Sequence, residues 1–192
     1  KGSNNAGATN ALRTMGIPFA LIVLIIDVYK GYFATYYIPL YLPGLLSQFG
    51  LHGDLAPFYT YLGNFITIND PWDIIKILAA ISAILGHVYP LYFKFKGGKG
   101  VGTALGTLFV IMNAKSVNFA LDWNFSFNIL IIIGFIFWIS SLTLTGFVGL
   151  SSIIAGISKS LIYLINNNFI LDPLGLYSII ISLFFIFTHR TN

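Results

Sequence analysis

Three short stretches of the chain hold the side chains that could do chemistry. Residues 96–100 read Lys96-Gly97-Gly98-Lys99-Gly100. Glycines let successive backbone N–H groups turn toward one point as an anion-binding nest. A helix opening at Val101 would aim its positive end at the same point. Lys94, Lys96 and Lys99 add full charges, so the loop suits phosphate. It lacks the GxxxxGK[ST] spacing of a P-loop, and ATP is not expected. A basic loop punctuated by glycines is the plainer alternative, and both readings stand. In the second stretch Ser3, Asn4, Asn5, Thr9 and Asn10 supply small polar groups and Arg13 a guanidinium fork for phosphate. An ordinary polar segment with Ser3 or Thr9 as a helix N-cap would look similar. The third stretch is His189-Arg190-Thr191-Asn192. His87 and His189 are candidate acids or bases, or else hydrogen-bonded packing residues. No carboxylate stands near either histidine in these segments, so neither is expected to have an acidic orienting partner. No His, Asp and Glu set has metal-ligand spacing, so no metal and no other cofactor is expected.

These stretches must be positioned by something other than a soluble domain. Of 192 residues, 57% are hydrophobic and 8% charged, where soluble proteins have about 25% charged residues. Mean hydropathy is +0.85. A soluble enzyme, a nucleic-acid-binding domain and a disordered chain are excluded, and the net charge of +4 is not a nucleic-acid signature. Cysteine is absent, so disulfides and thiolate metal sites are excluded too. The fold class is all-α: a polytopic transmembrane helical bundle. Crossing a bilayer takes about 20 helical residues, and six apolar runs approach that length. They cover approximately 17–42, 74–93, 101–114, 125–141, 147–165 and 174–188. Strict alternation is missing, which argues against barrel strands. No internal repeat or low-complexity linker divides residues 1–192, which read as one domain.

Six crossings put residues 1–16, 94–100, 142–146 and 189–192 on one face. These hold Lys1, Arg13, Lys94, Lys96, Lys99 and Arg190 and no acid. The opposite loops hold Asp54, Asp70, Asp73, Asp122 and Asp172 against Lys115. Basic loops mark the cytoplasmic side, so all three chemical stretches are expected there. Asp27 and Lys30 lie three apart inside the first run and read as a mutually neutralised pair. Lys159 has no obvious partner. Trp123 and Trp138 read as interfacial or packing residues near helix ends.

The same residues resemble the PlsY-type acyl-phosphate:glycerol-3-phosphate acyltransferases, a bacterial membrane family. Its first motif, close to GSGNPGATNxxR, is met by Gly2 to Asn10 and Arg13, with Asn4 and Ala6 in place of a usual Gly and Pro. The second, GHxxPxxxxFKGGKGVxT, is met by Gly86, His87, Pro90, Phe95, Lys96 through Val101, and Thr103. The third, HRxN, is met by His189, Arg190 and Asn192. The spacing from Asp27 to Lys30-Gly31 fits as well. Gly146 and Gly149 stand where the family commonly has an Arg and a Ser. Family members usually have a further helix before the first motif and a basic segment after the last. The chain is therefore expected to be truncated at both ends, with seven crossings in the full-length member. The His-x-x-x-x-Asp box of another acyltransferase class is missing, since Tyr92 stands five residues after His87.

The resemblance implies transfer of a fatty acyl group from acyl phosphate to the 1-hydroxyl of glycerol 3-phosphate, at the cytoplasmic face of the bacterial inner membrane. It implies a monomer in the lipid bilayer, with no nucleic acid and no metal. The catalytic candidates are Ser3, Arg13, Lys99, His189 and Asn192. The substrate-binding candidates are Asn5, Thr9, Asn10, His87, Lys96, Gly97, Gly98 and Gly100. An activated donor needs chiefly orientation and charge stabilisation, and no Ser-His-Asp set is visible, so direct attack by the glycerol hydroxyl is expected. A small transporter for a phosphorylated solute is the rival. Transporter anion sites lie at the bilayer midplane, often between repeats, which this sequence does not show.

Overall fold

The computed structural model describes residues 2, 5–49, 61, 71–113 and 129–190. Seven helices are described: α1 (Ala8–Met15), α2 (Ile17–Gln48), α3 (Pro71–Val88), α4 (Val101–Asn113), α5 (Ile129–Thr145), α6 (Val148–Asn166) and α7 (Pro173–His189). A 3₁₀ turn, Leu91–Phe93, follows α3. Among the described residues there is no strand.

Ile17–Gln48, Asp73–Phe93 and Val148–Asn166 are long and apolar enough to cross a membrane. Val101–Ile111, Leu130–Thr145 and Pro173–His189 are apolar but shorter. At about 1.5 Å per residue, α4 is only about 20 Å long. The fourth run ends at Thr145 rather than near Ser141, so Trp138 lies well inside α5 and not near its end. Trp123 lies outside the described residues.

The first sixteen residues are not all loop. Ala8–Met15 form a helix whose N-cap is Gly7, with no side chain capping it. Thr9 is therefore within the helix rather than its cap. Gly16, at φ 90° and ψ −178°, separates α1 from α2. That left-handed φ is unfavourable for any residue with a Cβ, and it lets the chain change direction before Ile17.

Close backbone approach sets the packing of α2 on α4. A Cβ at Gly31 would overlap the Thr103 carbonyl, and one at Gly106 would overlap the Val28 carbonyl. Small residues permit such crossings where helices associate in lipid. The core behind this crossing includes Ile77, Ile84, Leu108, Tyr177, Ile181 and Phe185. Thr107 and Tyr177 hydrogen-bond each other across it. Between α6 and α7 the Ser160 hydroxyl reaches Gly156 O at 3.0 Å, Ser178 O at 2.8 Å and Ser182 Oγ at 2.8 Å. Lys159 donates to Ser178 Oγ at 3.5 Å and lies over the Tyr177 ring at 5.8 Å. Its partners are thus a hydroxyl and an aromatic face. At the other end Asp172 caps α7, accepting Gly175 N–H at 2.8 Å and the Tyr163 hydroxyl at 2.6 Å.

Candidate active site

A cleft of about 760 Å³ opens between the α1–α2 arm, the residues before α4, the α5–α6 turn and the end of α7. Asn5, Thr9, Asn10, Arg13, His87, Lys99, Gly100 and His189 all line it. The three stretches separated in sequence are thus brought around one space. Leu21, Leu24, Leu142 and Ile153 extend the lining as an apolar surface. Lys96, Gly97 and Gly98 do not line it, and the Lys96 side chain is exposed. Ser3 and Asn192 lie outside the described residues.

The glycine loop does not form the nest expected for it. Gly97 N–H donates to Val88 O at 3.0 Å, and Gly98 N–H to His87 O at 3.3 Å. Those donors close the loop onto the end of α3 and are not turned to an anion. The reason for glycine is steric: a Cβ at Gly97 would overlap the His87 carbonyl, and one at Gly98 the His87 ring. Gly100, at φ 85°, needs glycine for its backbone conformation as well. The loop delivers Lys99 to the cleft, and Thr188 Oγ1 donates to the Lys99 carbonyl at 3.4 Å, tying the loop to α7.

Among the described residues two lysine or arginine side chains line the space, Arg13 and Lys99. Partial burial, and next the Arg13 guanidinium, hold the Lys99 ammonium below the usual lysine range. A bound phosphate would relieve both effects. Among the described residues the buried Asn5 Oδ1 has no hydrogen-bond partner. His189 is 8% exposed, and its Nδ1 lies 2.9 Å from Phe185 O. A carbonyl only accepts, so Nδ1 carries the proton and Nε2 is left as the acceptor of the neutral ring.

His87 does have an acidic partner, contrary to the sequence expectation. Its Nδ1 lies 3.3 Å from Asp27 Oδ1. The Asp27–Lys30 pair forms at 3.3 Å, so the carboxylate serves both. Asp27 also lines the cleft, as do Trp138 and Ser152, and Trp138 Nε1 donates to Ser152 Oγ at 3.3 Å. No sequence signal marked Trp138 or Ser152, whereas the charge of Asp27 inside an apolar run did mark that position. Gly146 and Gly149 line the cleft too. Among the described residues no three His, Asp or Glu side chains converge as a metal site requires.

Fold and cleft together define a helical membrane protein with a cationic, amphipathic site. The chain belongs to the glycerol-3-phosphate acyltransferase family, whose profile matches residues 1–192. It is 35% identical over 193 residues to the glycerol-3-phosphate acyltransferase of Staphylococcus haemolyticus (strain JCSC1435), covering all of this chain and 76% of that one. The Staphylococcus carnosus (strain TM300) enzyme is 32% identical over 194 residues, with the same coverage. Among solved structures it is similar to the crystal structure of PlsY, an integral membrane glycerol 3-phosphate acyltransferase, in its glycerol 3-phosphate form. The TM-score there is 0.67 at 26% identity, covering 100% of this chain and 74% of that one. The lysophosphatidic acid form of PlsY gives 0.65 at 26% identity, covering 98% and 74%.

Proposed function

We propose that this chain transfers a fatty acyl group from acyl phosphate to the 1-hydroxyl of glycerol 3-phosphate, releasing 1-acylglycerol 3-phosphate and inorganic phosphate. The observation that carries the reading is the single cleft where Arg13 and Lys99 meet an apolar wall. Phosphate groups would sit at the two cations, and the acyl chain along Leu21, Leu24, Leu142 and Ile153. The glycerol hydroxyl oxygen attacks the acyl carbonyl carbon. The bond from that carbon to the phosphate oxygen breaks, and a substrate phosphate oxygen takes the hydroxyl proton. Asn5 Oδ1 and His189 Nε2 orient the acceptor, with Ser3 and Asn192 supplying further contacts. Because the mixed anhydride is already activated, positioning and charge stabilisation are the main demands.

The topology that goes with this reading has six crossings, with the cleft facing the cytoplasm of a bacterial inner membrane and the protein acting as a monomer. The clustering of basic residues in the loops near the cleft supports it. Product analysis tests the function. Purified protein given acyl phosphate and glycerol 3-phosphate should form equal amounts of 1-acylglycerol 3-phosphate and phosphate. Transmembrane flux of glycerol 3-phosphate without acyl transfer would overturn it in favour of a transporter.

A further inference from the structure

Asp27 is 5% exposed on α2, with an apolar residue on either side in the sequence, yet the reaction as derived gives it no part. A lone carboxylate in such a place is costly unless compensated. Lys30 compensates part of it, but the Lys30 side chain is 55% exposed. The partner enclosed with Asp27 is His87: the two side chains are 7% and 8% exposed and 3.3 Å apart. The carboxylate stands beside Nδ1 and favours a proton on that nitrogen.

The enclosed ring has one evident task. It lies against Gly98 so closely that even a methyl group there would overlap Nε2. The His87 carbonyl holds the Gly98 N–H, and the Val88 carbonyl holds the Gly97 N–H. Main chain and side chain of α3 therefore grip the same two glycines, and the next residue is Lys99, one of the two cations of the cleft. Asp27 also packs on the first turn of α4 just after the loop, since a Cβ at Gly102 would stand 3.0 Å from Asp27 Cβ.

We propose that Asp27 is a positioning residue: its carboxylate, 3.3 Å from His87 Nδ1, holds the imidazole against Gly98, and so sets the loop that presents Lys99 to the acyl acceptor. The inference rests on the acyltransferase reading for its kinetic consequence but not for its geometry.

Kinetics and spectroscopy test it on the purified protein in lipid nanodiscs. Asp27→Leu keeps the size and removes the acceptor. It should raise KM for glycerol 3-phosphate about fivefold to a hundredfold, within the range of coupling between side chains in contact. kcat and KM for acyl phosphate should change by less than about threefold. Asp27→Asn retains an acceptor oxygen and should recover part of the loss. In a His87→Ala background Asp27→Leu should add nothing, because the two act as one unit. Unchanged KM in Asp27→Leu, or fully additive effects in the pair, would overturn the proposal. Should Asp27→Leu not fold, the native protein still decides. 15N spectra of histidine-labelled protein, with the His87 signals assigned by their loss in His87→Ala, should show a protonated Nδ1 and a bare Nε2 in the neutral ring. The opposite tautomer would reject the brace. A protein with the expected tautomer but no acyl transfer would count against the proposed function alone.

Discussion

Gly98→Ala probes the loop with the smallest perturbation available. The added methyl would overlap His87 Nε2 and lie 3.1 Å from Cδ2, so either ring or loop must move. The ring has little room, since its side chain is 7% exposed and Asp27 stands 3.3 Å from its Nδ1. The loop must therefore shift, taking Lys99 with it. Overpacking of this kind costs about 1–3 kcal/mol. If the strain is expressed as displacement of the Lys99 ammonium, KM for glycerol 3-phosphate rises about fivefold to a hundredfold, at about 1.4 kcal/mol per factor of ten. kcat should stay within about threefold, because the acyl donor and the His189 side of the cleft do not touch Gly98. The assay is steady-state kinetics with each substrate varied in turn. A collapse of kcat at unchanged KM would refute the reasoning. So would an equally large effect of Gly98→Ala in a His87→Ala background, where the methyl no longer meets a ring.

Three further outcomes are expected. With no native cysteine to interfere, a cysteine placed at Lys96 should resist external labelling in intact cells while one at the exposed Ile170, in the turn before α7, is labelled; the reverse pattern would refute the topology. Lys99 loses its charge as pH rises through a value below the usual lysine range, so KM for glycerol 3-phosphate should begin to climb at a lower pH than an ordinary lysine would cause. Lys99→Arg should remove that alkaline limb, because guanidinium stays protonated, and persistence of the limb would exclude Lys99 as its source. Ser3→Ala should be severely impaired through lost positioning. Labelled acyl phosphate without acceptor should nevertheless leave no acyl-enzyme in the native protein, and stoichiometric labelling at Ser3 with a matching burst of phosphate would overturn direct transfer.

The polar ingredients of the cleft were legible in the sequence because each sits in a short, unusual stretch. Arg13, Lys99 and His189 could be placed on one face from the parity of apolar runs alone. What was hidden depends on contacts between distant segments. Asp27 was seen only with Lys30, its neighbour on the same helix, while His87 lies sixty positions away, and only the packing of α2 on α3 brings it close. The role of Gly97 and Gly98 was misjudged for a related reason. Glycine runs permit a nest and a tight packing contact equally, and the choice is made by the carbonyls of α3. Ala8–Met15 is short and begins among Gly, Thr and Asn, residues that local propensity assigns to loops and caps, so the sequence offers Ser3 or Thr9 as its N-cap where the structure has Gly7. Trp138 lies inside the helix because α5 continues past Ser140 to Thr145: the Thr143 and Thr145 hydroxyls donate to the Ser140 and Ser141 carbonyls, and Thr145 Oγ1 accepts the Phe147 N–H, so the first polar residue does not end the helix.

The seam between α6 and α7 bears on how this part of the chain enters a bilayer. Ser151, Ser152, Ser160 and Ser182 each donate to a carbonyl four residues back on their own helix. Each of these hydroxyls is therefore already satisfied in a solitary segment passing from the translocon into lipid. Lys159 differs, for its described contacts, Ser178 and the Tyr177 ring, belong to the next helix. An ammonium that finds its neighbours only on the following segment favours release of the two as a preformed hairpin, with the turn between Asn166 and Pro173 already made. The serines then suit either order of insertion, and the single lysine selects one.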